Sequence, residues 1–270
     1  MTQPYAEVIG DPVSHSKSPL IHNFWLGKLG IDADYRARPV TQAGLGDYFS
    51  ERRDDPDWRG CNITIPHKVA ALDHVSDPGG VRDSIGAINT VARGPDGMLF
   101  GTNTDAAGFL GPILDVPLEA APVILVGSGG AANAILFALS QVGAGPITML
   151  ARNALKAAAL LARFGLKGEV KPLGSALPPA ALLVNASPLG MKGQPPLDLD
   201  LAPLRDDAIV YDIVYAPLET GLLRAAQARG LETVDGLEML VGQAALAFEL
   251  FFDVPPPEGH DEELRARLVK

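Results

Sequence analysis

Short apolar runs alternate with longer segments of helical periodicity along most of the chain. The runs have the length of strands, while apolar residues in the segments between them recur with the period of a helix. A strand–helix alternation of this kind is typical of α/β proteins with a mainly parallel sheet. The pattern therefore predicts an α/β fold, with a first strand at residues 5–10 and a first helix at residues 20–29.

The first half of the chain continues with two strands, one helix signal and a hairpin. The next apolar runs predict strands at residues 33–40 and 60–65. Thr41 is a candidate N-cap for a helix between them. Pro66 suits the first turn of another helix, which would carry Lys68. The turn sequence Gly94-Pro95-Asp96-Gly97 then predicts a hairpin between residues 85–93 and 98–101.

The rhythm becomes more regular after Asp105. The apolar runs that predict strands lie at residues 123–126, 147–150, 182–184 and 208–211. The segments that predict helices lie at residues 131–142, 218–229 and 237–252, with a short charged helix at 258–270. The change of rhythm near Asp105 predicts a second α/β domain that begins there.

Composition narrows the class of protein. The chain has 270 residues, 47% of them hydrophobic, and a formal net charge of −10. An acidic surface repels phosphate backbones, so we expect no nucleic-acid partner. Cys61 is the single cysteine, which excludes an internal disulfide and a metal site built on several cysteines. We expect no metal, no membrane span and no signal peptide, and therefore a cytoplasmic protein.

A glycine-rich turn follows the apolar run at residues 123–126 and fits the pattern G-x-G-x-x-[G/A]. Its members are Gly127, Ser128, Gly129, Gly130, Ala131 and Ala132. The first glycine permits a tight turn, and the second lets the backbone approach a pyrophosphate. The final small residue allows the helix to pack closely on the strand, and the helix N-terminus favours phosphate. The turn therefore predicts a dinucleotide site; the alternative is a plain glycine-rich connection.

The residues after the next strand indicate which dinucleotide binds. Sites that prefer NAD usually carry an acidic residue there, which binds the ribose 2′-hydroxyl. This chain has instead Arg152 and Asn153, with Lys156 nearby. A guanidinium suits bidentate recognition of a phosphate, so Arg152 and Lys156 favour NADP. The alternative is that both cations simply begin a solvated helix face.

Polar side chains cluster where the strands of the first half end. Ligands of open α/β sheets bind beyond the carboxyl ends of strands, and these short donors and acceptors suit a small polyhydroxylated ligand. Lys68 and Asp105 are the charged members. A lysine held by a carboxylate can act as general acid or base and can stabilise a developing oxyanion. The alternatives are a surface lysine and a plain helix N-cap.

Several motifs together resemble the shikimate dehydrogenase family, and the match spans nearly the whole chain. They are GDPVSHSKSP at 10–19 with His22-Asn23, NITIPHK at 62–68, GAINT at 86–90, GTNTD at 101–105 with Gly108-Phe109, NASPLGM at 185–191, DIVY at 212–215 with Pro217, and GLEML at 236–240 with Gln243-Ala244. The resemblance implies reversible, NADPH-dependent reduction of 3-dehydroshikimate to shikimate in aromatic amino-acid biosynthesis.

The resemblance also implies roles for individual residues. Lys68 would be the catalytic acid/base, paired with Asp105. The substrate carboxylate would be bound by Ser16 and Ser18, with Tyr215 nearby. The ring hydroxyls would be held by Thr64, Asn89, Asp105 and Gln243. The nicotinamide side would be lined by Ser187, Ile213, Gly236 and Met239.

The same resemblance implies the domain organisation. Residues 1–105 with 236–270 would form a substrate-binding domain, to which the last long helix returns. Residues 106–235 would form a Rossmann-type NADP domain. A quinate or quinate/shikimate dehydrogenase, possibly linked to NAD, is the alternative enzyme. A metabolite-binding regulator of the same fold should have lost Lys68 or Asp105; both are present, which ranks this alternative low. The pattern leaves monomer and homodimer open.

Overall fold

A computed structural model describes residues 3–269. The strands are β1 (Tyr5–Gly10), β2 (Asp34–Pro39), β3 (Trp58–Ile63), β4 (Thr90–Arg93), β5 (Leu99–Thr102), β6 (Val123–Val126), β7 (Ile147–Leu150), β8 (Gly168–Lys171), β9 (Leu182–Asn185), β10 (Ile209–Asp212) and β11 (Glu232–Val234). The α-helices are α1 (Ser18–Leu29), α2 (Leu45–Asp54), α3 (Val81–Ser84), α4 (Asp105–Leu110), α5 (Gly130–Gln141), α6 (Ala154–Arg163), α7 (Gly221–Ala228), α8 (Gly236–Phe252) and α9 (Asp261–Leu268). The predicted α/β class is confirmed.

The chain divides into two compact units. One extends to Asp105 and resumes at Val241, while the other runs from Ala106 to Leu240. The second boundary therefore falls inside α8. The assignment of a substrate to the first unit and of a dinucleotide to the second stays a prediction.

The first unit is built on a sheet in the order β2-β1-β3-β4-β5. Strands β1, β2 and β3 are parallel, whereas β4 and β5 form an antiparallel hairpin at one side. The carboxyl ends of β1, β3 and β5 and the start of β4 therefore lie at one edge. Phe251 of α8 packs with Val8 and Tyr35 from the sheet, which anchors the helix that carries Gln243.

The second unit is a parallel sheet in the order β11-β10-β9-β6-β7-β8. Counted from its own first strand this is the order 3-2-1-4-5-6 of dinucleotide-binding domains, with the reversal between β6 and β9. Strands β6, β7, β9 and β10 are buried throughout, as expected for a sheet covered on both faces. The predicted Rossmann-type fold is confirmed.

The prediction of a helix that starts at Pro66 and carries Lys68 is wrong. Residues 66–69 form a turn, and a short 3-10 helix follows at Ala70–His74. The carbonyl oxygen of Lys68 accepts a hydrogen bond from the amide of Ile88 at 2.8 Å. That tertiary contact replaces the bond to a residue four positions later that a helix would make. Lys68 therefore lies on a turn clamped against the segment before β4.

Two other local predictions need correction. Thr41 does not cap α2, which begins at Leu45 with Gly44 as its N-cap. The Thr41 hydroxyl instead accepts from the amide of Gly44 at 3.2 Å and closes the preceding turn. The predicted strand at residues 85–93 is regular only over β4, because the segment before it bonds to Lys68 and to the end of β5.

His22 of α1 gives the first unit a predictable acid sensitivity. Its ring stacks on Tyr35 at 4.0 Å, and both ring nitrogens are buried without a partner among the described residues. Burial disfavours the charged form and lowers the pKa of His22 from 6.5 to about 3. The unfolded chain thus binds a proton that the folded chain refuses between those pH values, so acid lowers the free energy of unfolding.

We expect this residue to contribute about 2 kcal/mol of stability at pH 7 that is lost by pH 5. His22→Phe keeps an aromatic ring against Tyr35 and removes the titrating group. The free energy of unfolding, measured in urea, should therefore fall more steeply in the wild type than in the variant as the pH falls from 7 to 5. Between pH 7 and 8 the two curves should run parallel, and parallel curves down to pH 5 would contradict the assignment.

Candidate active site

The predicted substrate-binding side chains of the first unit gather at one edge of its sheet. Ser16 and Ser18 follow β1, Thr64 and Lys68 follow β3, and Asn89 immediately precedes β4. Asp105 follows β5 and opens α4. This is the edge at which ligands of open α/β sheets bind.

Lys68 and Asp105 form an ion pair. Nζ of Lys68 lies 2.5 Å from Oδ2 of Asp105, and their side chains are 17% and 7% exposed. The other carboxylate oxygen accepts from Nδ2 of Asn89 at 2.9 Å. The amide of Asp105 donates to Oδ1 of Asn103, which fixes the start of α4. A buried carboxylate with a partner on each oxygen holds the ammonium in one place, as an acid/base group requires.

Asn89 connects this pair to a side chain distant in sequence. Its Nδ2 atom lies 3.3 Å from Oε1 of Gln243, which projects from α8. The same amide contacts Thr104, whose backbone N–H donates to Oδ1 of Asn89 at 2.7 Å. Four predicted residues, Lys68, Asn89, Asp105 and Gln243, are thus brought into one hydrogen-bonded group.

The serines and Thr64 lie on the loops beside β1. The amide of Ser18 donates to Oγ of Ser16 at 3.2 Å, and Ser18 is the buried first residue of α1. Lys17, between them, donates to the carbonyl oxygen of Leu268 at the end of α9. The amide of Thr64 donates to the carbonyl oxygen of Ile9 at 2.9 Å, which holds that loop to β1.

The glycine-rich turn lies at the strand reversal of the second unit. Gly127 has a φ of +106°, and a Cβ there would lie 2.8 Å from the carbonyl oxygen of Ala186, after β9. A Cβ on Gly129 would instead meet open space. Ala132 is buried against the sheet, while Ser128, Gly130 and Ala131 remain accessible. The backbone at Gly129 is exposed and carries no side chain, so a pyrophosphate can approach it closely and the turn fits that group.

The cations predicted to bind a 2′-phosphate follow β7. Arg152 and Lys156 are both exposed. Asn153 is the N-cap of α6, and its side-chain oxygen accepts from the amide of Lys156 at 3.0 Å. This capping interaction gives Asn153 a structural role at the start of α6. A contact between Asn153 and the cofactor stays a prediction.

The four residues predicted on the nicotinamide side all belong to the second unit. A Cβ on Gly236 would lie 2.4 Å from the carbonyl oxygen of Ile213, so these two segments touch through their backbones. Ser187 adjoins Gly127 and donates through Oγ to Oδ1 of Asn185 at 2.7 Å. Met239 is buried on α8. Tyr215 lies in the loop after β10, where burial raises the pKa of its hydroxyl.

Asp212 lies in the DIVY motif at 212–215, but neither the local pattern nor the resemblance predicts a role for it. Oδ1 of this fully buried residue accepts from Nδ2 of Asn185 at 2.9 Å and from the amide of Val214 at 3.0 Å. Oδ2 accepts from the hydroxyl of Thr220 at 2.7 Å. Burial raises the pKa of Asp212. Asp212 therefore ties together the loops after β9 and β10; a charged residue within an apolar strand was the available signal.

The two glycines of the turn predict separable effects. Gly129→Ala should change the free energy of unfolding by less than about 1 kcal/mol, because space is open there and only an N-cap is altered. It should raise the Kd for NADP⁺ about tenfold or more by blocking the approach of the pyrophosphate. Gly127→Ala should lower stability by about 1–3 kcal/mol, because its φ is left-handed and its Cβ would meet backbone.

Unfolding in urea without cofactor and calorimetric titration with NADP⁺ check both effects. Gly111→Ala is the matched control, since its Cβ also meets open space outside the turn. An unchanged NADP⁺ affinity in Gly129→Ala would remove the turn from the cofactor site.

Neither a metal-ligand cluster nor a membrane-spanning helix is found in residues 3–269. No group of three or more His, Cys, Asp or Glu side chains in this range could hold a metal ion. No helix in it combines the length and the apolar character needed to cross a membrane.

The doubly wound sheet with its glycine-rich turn, together with the buried lysine–aspartate pair of the first unit, defines the class as dinucleotide-dependent oxidoreductases. A family model described as the shikimate dehydrogenase substrate binding domain matches residues 8–91. A second, the shikimate 5'-dehydrogenase C-terminal domain, matches residues 236–263. The chain belongs to the shikimate dehydrogenase family, and the predicted resemblance is confirmed.

Individual relatives agree with this membership. The shikimate dehydrogenase (NADP(+)) of Sphingopyxis alaskensis is 65% identical over 98% of this chain and 97% of its own length. The shikimate 5-dehydrogenase of Thermus thermophilus, solved with NADP(H) and shikimate, is 38% identical with a TM-score of 0.86, covering 98% of this chain and 99% of that one. A quinate dehydrogenase from Corynebacterium glutamicum, solved with NAD, is 29% identical with a TM-score of 0.86 over 98% and 99%.

Proposed function

We propose that this chain is an NADP-dependent shikimate dehydrogenase, which reversibly reduces 3-dehydroshikimate to shikimate in aromatic amino-acid biosynthesis. The structural observation that carries the proposal is the Lys68–Asp105 pair, with Asn89 and Gln243 bonded around it. The identity of 65% to a curated NADP-dependent relative supports the same reaction.

Reduction of the ketone requires a hydride at the carbonyl carbon and a proton at its oxygen. NADPH, when bound, is the source of the hydride. Lys68 holds the proton at Nζ and donates it to the oxygen as negative charge develops there. Asp105 orients the ammonium of Lys68 through their ion pair. In the direction of oxidation Lys68 acts as the neutral amine, and its Nζ accepts the proton of the shikimate hydroxyl.

The other polar groups of the first unit orient the substrate. The hydroxyls of Ser16 and Ser18 would bind its carboxylate, and Tyr215 is assigned to the same group of the ligand. Thr64, Asn89, Asp105 and Gln243 would hold the ring hydroxyls. Three of these four already share hydrogen bonds around Nδ2 of Asn89, so few side chains must reorganise when the substrate binds.

The second unit would hold NADP. The turn at Gly127, Ser128, Gly129, Gly130, Ala131 and Ala132 would receive the pyrophosphate, and Arg152 and Lys156 would bind the 2′-phosphate. Asn153 stands between these cations. Ser187, Ile213, Gly236 and Met239 would border the nicotinamide. The exposed backbone at Gly129, which no side chain shields, supports this placement.

A steady-state assay with shikimate and with quinate, each with NADP⁺ and with NAD⁺, tests the proposal. We expect the highest kcat/KM for shikimate with NADP⁺. Activity with quinate and NAD⁺ above that value would favour the alternative of a quinate dehydrogenase, an activity named for one structural neighbour. Absence of any shikimate-dependent reduction of either cofactor would refute the proposal.

We also propose a cytoplasmic enzyme that is a monomer or a homodimer. The single cysteine, Cys61, is buried, and burial raises the pKa of its thiol, so it suits a reducing compartment without serving as a nucleophile. Light scattering on the purified chain distinguishes monomer from dimer.

A further inference from the structure

We propose that Thr90 is a positioning residue whose hydroxyl is the central link of a buried hydrogen-bond chain from Tyr35 to Asp105. The chain runs through Asn62, Thr90 and Asn89, and together with the backbone N–H of Thr104 it holds the side-chain nitrogen of Asn89 towards the carboxylate. The catalytic meaning of this chain rests on the proposed function. Its geometry stands independently of the substrate.

The orientation of Asn89 decides what Asp105 meets. The backbone N–H of Thr104 can only donate, and it lies 2.7 Å from Oδ1 of Asn89. The amide nitrogen of Asn89 must therefore face Oδ1 of Asp105, at 2.9 Å. A rotation of the amide by half a turn would set an oxygen against the carboxylate and remove a donor from it.

Thr90 stabilises that orientation from a second side. Its hydroxyl oxygen lies 3.1 Å from Oδ1 of Asn89 and 3.0 Å from Nδ2 of Asn62. Because Asn62 donates to this oxygen, the hydroxyl proton is available for Asn89. The hydroxyl of Thr104 lies at 3.4 Å as a further contact.

Asn62 is oriented in its turn by groups that leave it one choice. Its Nδ2 lies 3.4 Å from the carbonyl oxygen of Asn89, which can only accept. Its Oδ1 therefore faces the hydroxyl of Tyr35, which donates at 2.6 Å. Burial raises the pKa of Tyr35 well above its usual range, so the hydroxyl keeps the proton that it donates.

Tyr35 is a fixed starting point. Its ring stacks on His22, and both its backbone N–H and its carbonyl oxygen bond to the side chain of Asn23. From there every hydrogen bond points towards Asp105, and Lys68 is the charged group that contacts the carboxylate from the other side. Tyr35, Asn62, Thr90 and Asn89 are all buried, so water is not at hand to replace a lost link.

The test compares Thr90→Val, which removes the hydroxyl at nearly constant volume, with Thr90→Ser, which keeps it. In Thr90→Val we expect kcat/KM for shikimate to fall about tenfold and the KM for NADP⁺ to stay within about twofold. Thr90→Ser should match the wild type.

A second readout does not depend on turnover. The side-chain amide of Asn89, labelled with ¹⁵N and assigned by its loss in Asn89→Ala, should exchange its protons with solvent faster in Thr90→Val than in wild type or Thr90→Ser, because one hydrogen bond that holds it is removed. If Thr90→Val does not fold, Tyr35→Phe removes the first donor of the chain and should speed the same exchange by a smaller amount.

Wild-type exchange of the Asn89 amide and wild-type kcat/KM in Thr90→Val would overturn the proposal, and so would equal impairment in Thr90→Ser. Wild-type exchange in Tyr35→Phe would overturn it where Thr90→Val cannot be made. A wild-type enzyme without activity on shikimate would contradict the proposed function alone, since the exchange of the Asn89 amide would still decide the role of Thr90.

Discussion

Lys68→Ala is expected to lower kcat for shikimate oxidation by about 100- to 10,000-fold and to leave both KM values nearly unchanged. The size follows from the contribution of a positioned acid or base to proton transfer. Lys68 acts where charge develops on the substrate oxygen, as it takes the hydroxyl proton, so its loss falls on the transition state and not on ground-state binding. Steady-state kinetics across a range of shikimate and NADP⁺ concentrations measure the two parameters separately.

Lys68→Arg separates proton transfer from charge. A guanidinium keeps a positive charge beside Asp105 but does not release a proton at working pH. Activity in Lys68→Arg as low as in Lys68→Ala would assign the main effect to proton transfer, whereas substantial recovery would assign it to electrostatic stabilisation. Either result keeps Lys68 in the reaction.

Lys28→Ala is the matched control for this series. Lys28 also pairs with a carboxylate, since its Nζ lies 2.6 Å from Oε2 of Glu263. This pair is more exposed to solvent, and neither residue is a predicted site residue. Its loss should leave kcat unchanged. An unchanged kcat in Lys68→Ala, with Lys28→Ala as reference, would refute the catalytic assignment.

The strands that the sequence predicted best are those with the simplest burial. Strands β6, β7, β9 and β10 are buried on both faces and therefore read as continuous apolar runs. Strand β8, Gly168–Lys171, was not predicted, because it lies at the sheet edge with charged, partly exposed residues. Its pairing with β7 depends on neighbours, which no local pattern records.

The site divides in the same way. The glycine-rich turn was visible because each of its positions has a local physical reason. The contact between Lys68 and Asp105, 37 positions apart, follows from the order of strands in the sheet and had no local signal. The sequence predicts a helix at Lys68, where the structure has a turn. The turn depends on the hydrogen bond from the amide of Ile88 to the carbonyl oxygen of Lys68, and Ile88 lies 20 positions further along the chain. Thr90 and Asn62 lie within motifs of the family, but their roles depend on which atom donates each hydrogen bond, and the sequence does not show this.

Arg152→Ala is expected to raise the KM for NADP⁺ by about 10- to 100-fold and to change the KM for NAD⁺ far less. A charge-assisted hydrogen bond contributes about 1.5–3 kcal/mol, and each 1.4 kcal/mol is about tenfold in affinity. The exposed guanidinium of Arg152 follows β7, where an acidic residue would otherwise bind a 2′-hydroxyl. Only NADP⁺ carries the phosphate that this cation would contact.

Arg163→Ala and Lys156→Ala complete the design. Arg163 is an exposed arginine in the last turn of the same helix, α6, and its loss should affect neither cofactor. Lys156, in the first turn, should give a smaller NADP-specific effect, because an ammonium contacts phosphate as a single point charge. Equal losses for NADP⁺ and NAD⁺ in Arg152→Ala would assign this residue to the shared part of the cofactor, and selectivity for NADP would then have to come from another contact.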